Sequence, residues 1–150
     1  MNIERMLSPE CTIAGAPGDS KKRVLELLAE TLHKVHPVLD EEEVFDRLLE
    51  RERLGSTGIG EGVAIPHCRL PRCCDTVGVL IQLDTPIDFE AIDNQPVDLI
   101  FALVVPEEAT DEHLKALQAV AESFSQASYR ERLRAATDQQ SLYQAAISPL

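Results

Sequence analysis

Leu99-Ile100-Phe101-Ala102-Leu103-Val104-Val105 is the longest apolar run of the chain. It is far too short for a membrane span, which takes about 20 apolar residues. Unbroken apolar side chains over this length fit a strand buried on both faces of a sheet. Pro106 ends the run, since proline has no N–H for a sheet ladder. Val77-Gly78-Val79-Leu80-Ile81-Gln82-Leu83 reads as a second buried strand. Such strands need covering layers, and the flanking segments are helical in pattern. The expected class is α/β, with α+β as the alternative: helices over both faces of a sheet, in a single domain spanning residues 1–150.

Upstream, Glu10–Ala14 is a candidate short strand and Gly15–Gly18 a turn. Asp19 or Ser20 caps a helix whose Val24, Leu25, Leu27, Leu28, Leu32 and Val35 form a stripe at helical spacing. Pro37 ends it. Asp40 caps a second helix, with Glu41 to Glu43 in the first turn, where the helix dipole favours acids. Its stripe is Val44, Phe45, Leu48 and Leu49, and it runs to about Arg53 before stopping at Gly55. Downstream, Pro71–Asp75 is a loop. Asp84–Pro96 is mostly turns, with one extended piece around Ile87–Phe89. Asp111 caps a helix with Leu114, Leu117, Val120, Ala121 and Phe124 on one face. Shorter helices are expected around Tyr129–Ala135 and Asp138–Ile147.

The chain of 150 residues is 44% hydrophobic but only 4% aromatic, so its core should be aliphatic. A formal charge of -12 argues against nucleic acid as a partner, because phosphate backbones are bound by basic patches. The same acidity could steer a basic protein, or simply keep the chain soluble. The amino terminus has no long apolar core, so neither a signal peptide nor membrane insertion is expected. Cys11, Cys68, Cys73 and Cys74 do not look like a disulfide scaffold, and a reduced, cytoplasmic setting accounts for them.

Chemistry concentrates between Arg51 and Arg69. Four of the seven glycines lie between Gly55 and Gly62, and His67 follows Pro66. Glycine-rich turns bring consecutive backbone amides into concavities that hold anions. Ser56, Thr57, Gly58, Gly60 and Gly62 are therefore candidate phosphate-binding residues. Pro66 keeps His67 out of a helix interior. Imidazole is a good nucleophile near neutral pH, and phosphoryl transfer asks a protein chiefly for positioning and charge stabilisation. Arg51, at the end of its helix, could neutralise phosphoryl charge with its planar fork; Arg53 and Arg69 are further candidates. The competing reading is a structural turn beside a surface histidine. The glycines match neither a dinucleotide fingerprint nor a P-loop.

His113 falls in the first turn of its helix, near amides that attract anions. It is either a helper to His67 or an ordinary surface histidine. His67, Cys68, Cys73 and Cys74 lack the spaced pairs of a zinc site, so no metal and no cofactor is expected. His33 and His36 sit near a helix end, where cations suit the dipole.

Taken together, Gly55-Ser-Thr-Gly-Ile-Gly-Glu-Gly-Val-Ala-Ile-Pro-His67 resembles the active-site loop of the fructose/mannitol class of enzyme IIA domains in the bacterial phosphoenolpyruvate-dependent phosphotransferase system. Phe89-Glu-Ala-Ile-Asp-Asn-Gln-Pro-Val-Asp-Leu-Ile-Phe-Ala-Leu-Val-Val-Pro106 is similar to the next segment of that family, and Glu112-His113-Leu114 with Leu117 to its second-histidine helix. Arg51-Glu-Arg-Leu-Gly-Ser-Thr-Gly-Ile-Gly and Ala91-Ile-Asp-Asn-Gln-Pro-Val-Asp resemble the nitrogen-regulatory branch in particular.

The resemblance implies an α/β/α sandwich with a central mixed β-sheet. It implies that His67 accepts phosphate on Nε2 from an HPr-like carrier, with Nδ1 held by a backbone carbonyl. Arg51 then matches the arginine before the loop, and His113 the helper. In that branch the phosphorylation state governs binding to other proteins, including sensor kinases and potassium-transport components. The alternatives are a sugar-specific enzyme IIA, which passes phosphate to a IIB domain, and a binding module that takes no phosphate. Cys68, Cys73 and Cys74 fall outside the family pattern.

Overall fold

The computed structural model describes residues 2–73, 75–108 and 111–149; within the helix that begins at Asp111, the side chains of Glu112 and His113 lie outside this description. Helix α1 (Ile3–Met6) and a 3-10 turn (Pro9–Cys11) lead into strand β1 (Thr12–Ala16). Helices α2 (Lys21–Val35) and α3 (Glu41–Arg53) follow, then three short strands, β2 (Gly58–Gly60), β3 (Val63–Ala64) and β4 (His67–Leu70). Two long strands come next, β5 (Val77–Ile87) and β6 (Val97–Pro106). Helices α4 (Asp111–Phe124), α5 (Ala127–Ala135) and α6 (Gln139–Ile147) complete the chain.

The strands form one mixed sheet in the order β1-β5-β6-β3-β2, with β4 also paired to β6. β5 and β6 are antiparallel; β1 runs parallel to β5, and β3 and β4 run parallel to β6. β3 and β4 lie along the same edge of β6 and keep one register across Ile65–Pro66. The interruption falls at Pro66, which has no N–H to offer. Its carbonyl still accepts from the Leu103 amide at 2.9 Å. α2 packs with α3 in one layer, and α1, α4, α5 and α6 in another, so the sheet is sandwiched.

The caps follow local chemistry. Of the two cap candidates for α2, Ser20 takes the role: its hydroxyl accepts from the Arg23 amide at 3.2 Å. Asp40 caps α3 through the Glu43 amide at 3.0 Å, and Asp138 caps α6. Asp111 is already helical and opens α4 instead of capping it. The core is mostly aliphatic, as expected, but the few aromatics are gathered in it. Phe101, Phe124 and Tyr129 stack edge to face, with centroids 6.0 and 5.2 Å apart.

The sheet is larger than two strands and their neighbours. β1 is displaced from 10–14 to Thr12–Ala16, and Gly15 is not in a turn: its φ of +65° accommodates an irregularity in the pairing with β5. β5 continues through Asp84 and Pro86 to Ile87, where turns were expected. Proline is tolerated there because the ladder to β6 is itself interrupted between Gln82 and Ile87. Leu114 does not join the buried stripe of α4; it is 52% exposed and faces the histidine site.

Candidate functional site

His67 is the first residue of β4, paired with Leu103 of β6, so a central strand fixes its backbone. Its ring is oriented from both sides. Nδ1 lies 2.8 Å from the carbonyl oxygen of Ile65, and Nε2 lies 3.3 Å from Nε of Arg51. A carbonyl only accepts, so Nδ1 carries the proton; the guanidinium only donates, so Nε2 presents its lone pair. Arg51 is in the last turn of α3 and also donates from Nη1 to the Gly55 carbonyl at 2.9 Å. The site thus joins a neutral imidazole with an outward nucleophilic nitrogen to a cation within reach of whatever that nitrogen binds.

This pair lies in a cavity of about 630 Å³. Leu54, Leu103, Val105, Leu114 and Leu117 form its apolar surface, and Arg47, Arg51, Arg53 and Arg69 make it locally basic in an acidic chain. Leu54 is 84% exposed, so apolar surface also extends outside the cavity. Arg69 donates to the Glu107 carbonyl at 3.4 Å, and Arg47 to the Arg69 carbonyl at 3.3 Å. Cys68 also lines the cavity; burial pushes its thiol up to about 12, against the opposing pull of Arg47.

None of Ser56, Thr57, Gly58, Gly60 or Gly62 lines the histidine cavity. The Ser56 hydroxyl, the Thr57 amide and hydroxyl, and the Gly58 amide are engaged within the protein. The Ser56 hydroxyl donates to the Phe89 carbonyl at 2.7 Å and accepts from the Gly58 amide at 3.0 Å. The Thr57 amide and hydroxyl both donate to the buried carboxylate of Glu52. Gly58–Gly60 is a strand at the sheet's edge, and the Gly62 carbonyl accepts from the amides of Asp98 and Leu99. The Thr57 carbonyl accepts from the Ile65 amide at 2.9 Å, which ties the loop to the segment before His67.

His113 belongs to α4, whose Leu114 and Leu117 line the cavity, but its side chain lies outside the described residues, as does Cys74. Among the described residues, no three His, Cys, Asp or Glu side chains are arranged to hold a metal ion. Also among the described residues, no helix is long and apolar enough to cross a membrane.

Two contributors were not anticipated. Arg47 stands one helical turn before Arg51, a spacing that helical periodicity alone would have exposed. Glu52 occupies the buried face of α3 with Val44 and Leu48, so a carboxylate falls where the pattern calls for an apolar residue.

Comparison with known proteins agrees with this architecture. The family model described as "Phosphoenolpyruvate-dependent sugar phosphotransferase system, EIIA 2" matches residues 5–148. A nitrogen regulatory protein of Pseudomonas aeruginosa is 45% identical over 147 residues, covering 98% of this chain and 96% of that protein. The crystal structure of nitrogen regulatory protein IIA-Ntr from Neisseria meningitidis superposes with a TM-score of 0.86 at 39% identity, covering 96% of this chain and 98% of that one. A fructose-specific EIIA component of Haloferax volcanii is a more distant relative, 31% identical over 126 residues, with 84% of this chain and 82% of that protein covered. The nitrogen-regulatory branch is thus nearer than the sugar-specific one. Members of the matched family carry phosphoryl groups between proteins. With its mixed sheet sandwiched between helices and its sequence matched almost from end to end, the chain belongs to the EIIA 2 family of the phosphoenolpyruvate-dependent phosphotransferase system.

Proposed function

We propose that residues 1–150 form one EIIA domain, that His67 accepts a phosphoryl group on Nε2 from an HPr-like carrier, and that its phosphorylation state governs binding to regulated proteins. One observation carries this reading: Nδ1 donates to the Ile65 carbonyl, which leaves the Nε2 lone pair facing the cavity beside Arg51. In the transfer, that lone pair forms the new P–N bond. The P–N bond to the carrier's histidine breaks, and its electron pair stays on the carrier's nitrogen. Nδ1 keeps its proton throughout, shared with the Ile65 carbonyl. Arg51 stabilises the phosphoryl oxygens as the loose transition state develops. In this reading His113 approaches the phosphoryl group from α4 as the helper.

The basic, partly apolar surface around His67 supports a protein as phosphate donor. A protein can cover the exposed Leu54 and Leu114, as a small metabolite cannot. Candidate regulated targets are a sensor kinase or a potassium-transport component. We place the protein in the cytoplasm, where a carrier charged from phosphoenolpyruvate operates. The test is incubation with phosphoenolpyruvate, the first enzyme of the system and the carrier, followed by intact-mass measurement. The wild type should gain one acid-labile phosphoryl group and His67→Ala none. Acid-labile phosphate on His67→Ala would remove His67 from the reaction.

A further inference from the structure

We propose that Glu52 is a positioning residue for His67: paired with Lys21 and bound to Thr57, it holds the Ile65 carbonyl that keeps the imidazole proton on Nδ1. The proposal rests on the reading of His67 as phosphoryl acceptor.

Glu52 is an unusual occupant of its place. Its side chain is 3% exposed, on the face of α3 that buries Val44 and Leu48. A buried carboxylate is costly unless its lone pairs are taken up, and here they are. Lys21 Nζ, from the first residue of α2, lies 3.0 Å from Oε1. The Thr57 amide donates to the same oxygen at 3.1 Å, and the Thr57 hydroxyl donates to Oε2. Lys21 is itself held, with Nζ 4.7 Å from the centre of the Phe89 ring and 3.7 Å from the Glu90 carboxylate. α2, through Lys21, and the segment after β5, through Phe89 and Glu90, thus support the Glu52 carboxylate that binds Thr57.

From Thr57 a short series of hydrogen bonds reaches the imidazole. The Ile65 amide donates to the Thr57 carbonyl at 2.9 Å, and the Ile65 carbonyl accepts from His67 Nδ1 at 2.8 Å. The second bond selects the reactive tautomer. A neutral histidine in water prefers its proton on Nε2, the nitrogen that must attack phosphorus. The Ile65 carbonyl, with the Arg51 N–H on the opposite nitrogen, reverses that preference, and its share lasts while it stays within hydrogen-bond reach of Nδ1. Anchoring Ile65 through Thr57 to a doubly bound carboxylate keeps it there. Glu52 also pins the end of α3 that carries Arg51, so nucleophile and cation share one anchor. A hydrophobic residue at this position would fill the same space without holding Thr57.

The test reads the tautomer directly. Long-range 15N–1H correlation spectra of His67, recorded at a pH where imidazole is neutral, report which nitrogen carries the proton. The wild type should show Nδ1–H. Glu52→Ala, with an unchanged circular dichroism spectrum, should gain the Nε2–H form and accept phosphate from the carrier about tenfold more slowly or worse. Glu52→Gln keeps an acceptor for the Thr57 amide, and its NH2 can donate to the Thr57 hydroxyl oxygen where the carboxylate accepted from it, so it should hold both the tautomer and the rate to within about threefold of the wild type. Thr57→Val keeps the backbone bonds but loses the hydroxyl. It covers the case in which Glu52→Ala fails to fold, and should shift the tautomer in the same direction by less.

A folded Glu52→Ala or Thr57→Val with the wild-type tautomer overturns the proposal, whatever its rate. Loss of both tautomer and rate in a folded Glu52→Gln also overturns it, since hydrogen bonding to Thr57 would then not be what holds the Ile65 carbonyl. If wild-type His67 takes no phosphate while the tautomer responds as described, the acceptor reading fails and the positioning role stands. If the wild type is phosphorylated and the tautomer does not move, the reverse holds.

Discussion

His67 and Arg51 meet at 3.3 Å, lone pair against N–H. A phosphoryl group on Nε2 would use up that lone pair, so the guanidinium must then turn to the phosphoryl oxygens. Arg51 can do this because its second bond, to the Gly55 carbonyl, is on the helix end beside it. Arg51→Ala should slow phosphoryl uptake on the order of 100-fold, the size of effect seen when a charge-stabilising donor is removed. Arg51→Lys should recover little of this, because an ammonium lacks the planar fork. Initial rates of phosphorylation by the carrier check both, with circular dichroism confirming an unchanged fold. Wild-type rates in Arg51→Ala would leave the arginine with a structural role only.

Between β2 and β3 the backbone turns on Glu61, with φ 58°, and Gly62, with φ 78°. α5 clamps this turn. Arg134 donates from Nε and Nη2 to the Asp98 carboxylate, at 3.2, 3.0 and 2.9 Å, and from Nη2 to the Glu61 carbonyl at 2.6 Å. A Cβ on Gly62 would stand 2.4 Å from Arg134 Nη2 and 2.9 Å from Asp98 Oδ1. Gly62→Ala should therefore lower stability by about 1–3 kcal/mol, through left-handed strain and displacement of the clamp. Urea unfolding measures this. A midpoint equal to that of the wild type would show that neither the turn nor the clamp constrains the hairpin. The consequence reaches the site, because β3 leads directly through Ile65 and Pro66 to His67.

Over the whole molecule, the thiols and a phenol buried with the core set a limit at high pH. Burial pushes Cys68 from 9.0 up to about 12, and raises Cys11 and Tyr129 as well. The unfolded chain releases the Cys68 proton near 9, while the folded chain keeps it to near 12. Between these values the unfolded state binds fewer protons, so stability falls as pH rises. This contribution is fully present below pH 9 and is lost progressively toward pH 12, at no more than about 1.4 kcal/mol per pH unit for one group. Urea midpoints at pH 8, 9.5 and 11 should decline along this interval, and Cys68→Ala should make the decline shallower. An equal decline in both proteins would show that the buried thiol does not contribute.

Much of this protein was legible in its residues because the information is local. Apolar runs mark β5 and β6, Asp40 and the Asp19-Ser20 pair mark helix starts, and Pro66 before His67 keeps the histidine out of a helix. Arg51 could be placed beside the loop because the helix ends there. Only the tertiary structure decided the rest. Gly58–Leu70 became three short strands because β6 offers an edge to β3 and β4, and β3 in turn to β2, and no propensity within the segment announces those partners. The Ser56 hydroxyl and the Thr57 donors are bound by Phe89 and Glu52, partners that lie 33 and 5 positions away in the chain. Glu52 lies buried because Lys21, 31 positions earlier, arrives to neutralise it. Pairing across such separations depends on where the chain packs, and a reading from neighbour to neighbour does not contain it.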